Sequence, residues 1–361
     1  MDTTRYIRQT ALPEIGKAGQ EKLAQAKVLV IGAGGLGCPV LQNLAGMGIG
    51  TIGIVDGDIV SESNLHRQLL YTLEDCGKSK AITASKAIQK INPLVQVQIF
   101  ADFLVPSNAN QIIPNYDIIV DCTDDIPVRY LINDMAVTYK IPVVYASLHK
   151  FQGQLSVFNY KNGPSYRCLF PAEESISVPT CSTSGVLGVL PNILGTLQAM
   201  EVVKIILSLG EILSGKLLIY NAIDQSVNHI SFAKQACQIE LALKKGEKIL
   251  SQMVAIPFKN QINLQEFLDK CFETDQIIID IRELHEQPKL SFPNIITIPL
   301  SELEEKCQNW NKNEYYTLFC QSGKRSAQAQ KMMQTNGFTN VYELKDGIQS
   351  LQDFTLIETI K

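Results

Sequence analysis

The 361-residue chain has one tryptophan and four histidines, and His66, His149, His229 and His285 nowhere stand at metal-ligand spacing. They read as solvated or internally satisfied side chains. Excess positive charge is also missing. Thirty-two Lys and Arg against 36 Asp and Glu leave a net charge of −4, without the basic footprint of a general nucleic-acid binder. No apolar run reads as a membrane span of ~20 residues, and the N-terminus shows no basic-then-apolar leader. The expectation is a cytoplasmic protein with neither membrane nor nucleic-acid partners. The nine cysteines form no disulfide framework, and Cys38 and Cys122 sit inside apolar runs, as in a reducing compartment. No internal repeat stands out. The remaining composition, 45% apolar and 19% charged, is globular, and the length suits about two domains of ~150 residues.

The strongest signal begins at Val28, where an apolar run leads into Gly32-Ala33-Gly34-Gly35-Leu36-Gly37, then a helical pattern, then a second apolar run ending at Asp56. A strand feeding a glycine turn and a helix N-terminus cradles phosphate: Gly32, Gly34, Gly35 and Gly37 let the backbone approach, and free amides face the anion. Asp56, 24 residues after Gly32, stands where a carboxylate holds ribose hydroxyls. Alone, this would suggest a nicotinamide dehydrogenase. The next segment argues otherwise, because Ser63-Asn64-Leu65-His66-Arg67 and then Lys80 place cations just beyond the adenosine pocket. That arrangement suits a triphosphate with a concentrated leaving charge. Asp121-Cys122-Thr123-Asp124-Asp125 ends another apolar run and adds carboxylates at a strand C-terminus. There Asp124 suits Mg²⁺ and Asp125 suits a helix cap. The sum is a nucleotidyl-transfer site for ATP and Mg²⁺.

Strand-like runs near 28–31, 51–55, 95–100, 117–121 and 142–146 alternate with helical stretches at 38–48, 78–90 and 128–139. This predicts an α/β, doubly wound, Rossmann-like ATP-binding domain over 1–235. Gln154–Tyr160 and Lys216–Ala222 add antiparallel strands, 191–209 reads as a long apolar helix, and 171–184 reads as a mobile loop. Residues 236–255, rich in Lys, Gln and Glu and with a helical pattern over 239–250, read as a linker. A second, smaller α/β alternation covers 256–361, with Cys320-Gln321-Ser322-Gly323-Lys324-Arg325-Ser326 between a strand and a helix. A cysteine at a helix N-terminus beside basic residues favours thiolate. Arg325 follows Cys320 after four intervening residues, one fewer than a tyrosine phosphatase loop has, which sizes the loop for sulfur.

Taken together, Arg5-Tyr6-Ile7-Arg8-Gln9, the glycine turn, the Ser63–Gln68 segment, Asp121–Asp125, Ser165–Cys168 and Gly195–Glu201 resemble the bacterial ThiF/MoeB-type relatives of ubiquitin-activating enzymes. These adenylyltransferases activate the sulfur carrier proteins of molybdopterin and thiamine synthesis. The second unit resembles a rhodanese domain through its cysteine loop, Asp280–Glu283 and Leu344–Ile348. The resemblance implies ATP-dependent adenylation of a ubiquitin-like carrier ending in Gly-Gly, with persulfide sulfur on Cys320 and a cysteine desulfurase as its candidate source. It implies a homodimer in which Arg8 reaches the partner's ATP, and a loop cysteine, Cys181, that bonds to the activated carrier in thiamine-type relatives. Two departures stand out. The two CxxC pairs that bind zinc in relatives are reduced to Ser165-Tyr166-Arg167-Cys168 with Cys237 nearby, so zinc is expected to be absent. Asp125 replaces the family's usual Asn. Whether the carrier belongs to the molybdopterin or the thiamine pathway stays open.

Overall fold

The computed structural model describes residues 4–171, 185–254, 261–273, 275–283, 286–290 and 294–348. The chain divides into two compact units, 1–255 and 256–361.

The first unit opens with a short helix α1 (Ile7–Thr10) and α2 (Gly16–Gln25), followed by β1 (Lys27–Ile31), α3 (Gly37–Met47) and β2 (Thr51–Val55). Then come α4 (Lys80–Ile91), β3 (Gln96–Phe100), α5 (Pro106–Ile112), β4 (Ile118–Asp121), α6 (Ile126–Tyr139) and β5 (Val143–His149). The unit closes with β6 (Gln152–Phe158), α7 (Tyr166–Leu169), α8 (Val189–Leu207), β7 (Lys216–Asn221), β8 (Val227–Ser231) and α9 (Ala236–Val254). Eight strands form one sheet in the order 3-2-1-4-5-6-7-8. The first five are parallel and β6 to β8 are antiparallel additions. β1 to β4 are separated by helices, and each βαβ crossover keeps its strands parallel. β5 and β6 are joined by a tight turn and pair antiparallel. Two apolar cores cover the sheet's faces, one including Val28, Val30 and Leu44 and the other Leu29, Ile31 and Ile132. Alternate residues of β1 thus supply opposite faces.

Two readings need correction. Residues 236–254 form helix α9, packed on α6, instead of a coil-like linker. Ala242 is fully buried and Gly246 lies against Thr138, so the helix has an apolar stripe worth docking. The apolar stretch at 191–209 is also longer than a sequence reading without a membrane span allows: α8 is 19 residues and, by length and composition alone, apolar enough to cross a membrane. It nevertheless lies against α3, β5 and β6 and buries Leu190, Leu194, Gln198 and Val202, as a core helix does.

The second unit runs β9 (Gln261–Ile262), α10 (Leu264–Cys271), β10 (Gln276–Asp280), β11 (Ile295–Thr297), α11 (Leu300–Lys306), β12 (Tyr315–Phe319), α12 (Lys324–Thr335) and β13 (Asn340–Leu344). Its five strands are all parallel, in the order 11-10-12-13-9.

Candidate functional site

The sheet order reverses at β1, whose neighbours are β2 on one side and β4 on the other. Connections depart in opposite directions there, leaving a crevice beyond the strand C-termini. Glycine is required at the turn. Gly32 has φ +95°, and a Cβ on it would lie 2.7 Å from the Cys122 carbonyl oxygen. A Cβ on Gly37 would lie 2.0 Å from the Gly32 oxygen. Gly32, Gly34 and Gly35 line a cavity of about 580 Å³, whereas Gly37 is buried behind it at the start of α3.

Asp56 is buried at the end of β2. Its Oδ2 accepts from the Ala33 amide at 2.7 Å and its Oδ1 from the Asp58 amide at 2.8 Å. Burial raises its pKa, and those amides oppose the shift. The carboxylate thus fastens the glycine turn to β2, each oxygen has capacity for a further hydrogen bond, and the residue lines the cavity. Lys80, at the start of α4, is buried, and its Nζ donates to Asp58 Oδ2 at 2.8 Å. Arg67 Nη2 donates to Asn64 Oδ1 at 2.6 Å, and both residues face the cavity. Ser63, Leu65 and His66 are in the predicted segment but do not line it: Ser63 and His66 are exposed, and Leu65 packs on the core. Their part is to close the turn, with the Ser63 carbonyl contacting the His66 ring and Arg67.

On the β4 side, Asp124 and Asp125 line the same cavity and are exposed. Asp125 caps α6, its Oδ1 accepting from the Val128 amide at 3.1 Å, as expected. Asp124 offers the carboxylate. One carboxylate with phosphate oxygens and water suits Mg²⁺, and the described residues hold no cluster of three or more His, Cys, Asp or Glu side chains for a cage. Arg8 lies exposed on α1, outside its own chain's cavity. Cys181 falls in 172–184, outside the described residues.

Three groups escaped the sequence reading. Asp58 holds Lys80, and its signal was the second acid of Asp56-Gly57-Asp58. Arg129 is buried on α6, 3.7 Å from Asp121 Oδ2, and donates to the Thr123 carbonyl at 2.7 Å. Burial pushes the Asp121 carboxyl up to about 6 against the pull of Arg129. Gln198 donates to the Asp121 carbonyl at 2.8 Å, tying α8 to the cavity floor.

The zinc position of relatives holds an organic cluster. Cys168 Sγ accepts from the Ser165 amide at 3.4 Å and the Gln235 amide at 3.3 Å, and lies 3.5 Å from Ser165 Oγ. Cys237 is exposed. One thiol whose lone pairs are engaged, with a hydroxyl and amides around it, does not fit tetrahedral zinc. Beside it, Tyr145, Phe158, Tyr166 and Phe170 pack ring on ring at 4.9–6.1 Å. Leu169, Leu217 and Ile219 complete that apolar contact.

In the second unit Cys320 follows β12 and is fully buried. Its Sγ accepts from the Ser326 amide at 3.4 Å. Gly323 and Gly347 interlock above it: both have positive φ, and a Cβ on Gly347 would lie 2.5 Å from the Gly323 nitrogen and 2.6 Å from the Cys320 oxygen. Arg325, expected at the sulfur, instead forks onto Glu286, with Nη1–Oε1 at 2.6 Å and Nη2–Oε2 at 2.7 Å. That pairing pulls the Glu286 carboxyl down to about 2. Arg282 and Asp280 form a second, buried pair at 2.7 Å below the loop.

A sequence model of the ThiF family matches residues 6–241. The chain belongs to the ThiF family. A rhodanese-like domain model matches residues 263–353, so the ThiF unit is followed by a rhodanese-like one, the order that the motifs predicted. Among curated relatives, the adenylyltransferase and sulfurtransferase MOCS3 of Xenopus laevis is 40% identical over 329 residues, covering 86% of this chain and 72% of that protein. A probable molybdopterin-synthase adenylyltransferase of Porphyra purpurea is 38% identical, covering 96% of this chain and 92% of its own length. The sulfur carrier protein adenylyltransferase of Thermus thermophilus is 46% identical over 233 residues, 63% of this chain and 86% of that one. Among solved structures, E. coli MccB with ATP superposes with a TM-score of 0.57 at 23% identity over 64% of this chain and 73% of that one. It shares the ThiF unit's fold.

Proposed function

We propose that this ThiF-family chain adenylates the C-terminal glycine of a small ubiquitin-like sulfur carrier ending in Gly-Gly, and that its rhodanese-like unit supplies the sulfur. The observation that carries the first half is that the buried Lys80 ammonium and Arg67 line one cavity with the glycine turn. Two cations beside amide donors suit a polyphosphate better than a dinucleotide's dispersed charge. The Asp56 carboxylate would hold the ribose hydroxyls, and the amides of Gly34 and Gly35 the phosphates. Asp124 would hold Mg²⁺, which neutralises phosphate charge when bound. The carrier carboxylate attacks the α-phosphorus, the bond to pyrophosphate breaks, and an acyl-adenylate forms. No side chain acts as nucleophile. Lys80 and Arg67 hold the leaving charge, with Arg8 of a second copy as a third cation in a homodimer. Lys80 must exchange Asp58 for phosphate, and Asp58 keeps its ammonium aimed until then.

Cys320 would carry sulfane sulfur taken from a persulfide donor such as a cysteine desulfurase. Its terminal sulfur attacks the activated carboxyl and AMP leaves. A second thiol then cleaves the resulting acyl disulfide, releasing the thiocarboxylate and remaining disulfide-bonded to Cys320. Cys181 is proposed as the residue that bonds to the carrier between the two steps, in a cytoplasmic protein. The test is labelled pyrophosphate exchange into ATP, expected only when a Gly-Gly-ending carrier and Mg²⁺ are both present. Carrier-independent NAD binding by calorimetry, with no exchange, would restore the dehydrogenase reading.

A further inference from the structure

Behind Cys320 stands a carboxylate that the sulfur chemistry above does not use. Glu343, on β13, is fully buried between Leu318 of β12 and Gln261 of β9. Its Oε2 lies 3.0 Å from Ser326 Oγ, and that same hydroxyl lies 3.5 Å from Cys320 Sγ. Sulfur, hydroxyl and carboxylate therefore form one buried chain. The Ser326 hydroxyl has a third acceptor, the Gly323 carbonyl at 2.9 Å. A hydroxyl has a single proton to give. With both Cys320 and Glu343 anionic, three acceptors would compete for that proton, two of them charged and out of water. Such a state is costly. With one proton on either end the chain is satisfied.

We propose that Glu343 and Cys320 share one proton through the Ser326 hydroxyl, making Glu343 the positioning residue that takes the thiol proton when sulfur is loaded. The proposal rests on the reading of Cys320 as the sulfur-carrying residue. The step is a balanced transfer. Cys320 Sγ–H gives its proton to Ser326 Oγ as Ser326 gives its own to Glu343 Oε2. Thiol and carboxylate become thiolate and carboxylic acid, and no electron changes owner. Glu343 then donates to Ser326, which is free to donate toward the sulfur anion. The charged surroundings are sparse. Asp346, in the turn after β13, disfavours a second anion at Glu343, while the Gln261 side chain and Ser326 favour it. Arg325, in the first turn of α12, is forked onto Glu286. Burial is the largest influence on Glu343 and raises its pKa.

The test is the pH dependence of iodoacetamide alkylation at Cys320 in the full-length protein, read on the Cys320 peptide by mass spectrometry. A shared proton makes the wild-type profile rise in two steps, because the pair titrates as a unit. Glu343→Gln, close in shape, should collapse it to one step with its midpoint lower by about one pH unit. Ser326→Ala should bring the two steps together. A wild-type profile of one step that superimposes on Glu343→Gln overturns the proposal. If Glu343→Gln does not fold, a Ser326→Ala profile identical to wild type overturns it equally. Alkylation needs no sulfur donor, so the two ideas separate. A wild-type protein that never takes up sulfane sulfur yet shows the two-step profile contradicts the sulfur role of Cys320 and leaves the shared proton standing.

Discussion

The two units solve one geometric problem at different sizes. In each, a parallel strand ends at a turn held by glycine, and a helix begins just beyond it. In the first unit the turn opens on a cavity of about 580 Å³ with exposed Asp124 at its edge. In the second the turn closes on a single sulfur atom that is fully buried. The cations differ in the same sense. Lys80 lines the open cavity and is tethered by one exposed carboxylate that a phosphate can displace. Arg325 is clamped by both oxygens of Glu286, a bidentate pair that is far harder to exchange. A common strand–turn–helix therefore becomes a polyphosphate site or a sulfur cup according to how far its walls stand apart and how firmly its charges are held.

The most damaging way to break the comparison is to add one methyl group to each turn. Gly37→Ala forces a Cβ to 2.0 Å from the Gly32 oxygen, and Gly347→Ala forces one to 2.5 Å from the Gly323 nitrogen at φ +62°. Each should cost about 3 kcal/mol or more. Gly37→Ala should abolish pyrophosphate exchange and spare sulfur loading, and Gly347→Ala the reverse. Thermal melts of both variants, run beside the two assays, check this. Equal damage to both assays from either variant would mean that the turns are not independent.

Next is the dependence on a second copy. Mixed dimers of Arg8→Ala and Asp124→Ala subunits should recover part of the exchange activity that each homodimer lacks, because one hybrid cavity holds both native groups. Purified heterodimers without recovery would place Arg8 outside the site.

A smaller effect concerns zinc. Protein prepared with chelated buffers should contain no stoichiometric zinc and should melt at the same temperature with or without chelator. The Cys168–Gln235 hydrogen bonds and the surrounding aromatic rings hold that region instead. One zinc per subunit with a chelator-sensitive melt would show that the cluster rearranges around metal.

The smallest effect is on acid stability, and here the units differ in sign. Asp121 has a folded pKa of about 6 against an ordinary 3.8, so the folded first unit binds that proton more tightly. Its contribution favours the folded state below pH 3.8 and is lost as pH rises through 6. Glu286 lies at about 2 against 4.5, so its contribution is present above pH 4.5 and is lost as pH falls toward 2. Glu286→Gln should remove on the order of 1 kcal/mol from the second unit at neutral pH, after solvent screening, and less at pH 3. Urea melts at the two pH values measure it.

Most of this arrangement was legible in the sequence, because the glycine turn, Asp56 and Asp124 lie at strand ends whose apolar runs are distinct. Arg67 falls in the one connection between β2 and α4, and Lys80 stands where that connection meets α4. Strand alternation likewise predicted β1 to β7 within a few residues. What was not legible depended on partners distant in sequence. Residues 236–254 looked polar enough for a linker, yet Ala242 is buried and Gly246 meets Thr138 of α6 across more than 100 residues. Arg325 looked like a sulfur ligand because Glu286, 39 residues earlier, cannot be paired with it by spacing. Arg129 and Glu343 carried no motif at all. Only burial shows that their charges need partners.

The central claim is that adenylation and sulfur loading belong to separate sites on one chain. It is tested most directly by measuring carrier-dependent pyrophosphate exchange and intact mass after incubation with a persulfide donor, each on Asp124→Ala and Cys320→Ala. The account predicts that Asp124→Ala loses exchange by about 100-fold or more while still gaining a reducible ~32 Da. Cys320→Ala should exchange as wild type and gain no mass. Loss of both signals in either variant, or the added sulfur found on Cys181 in the Cys320→Ala protein, would contradict it.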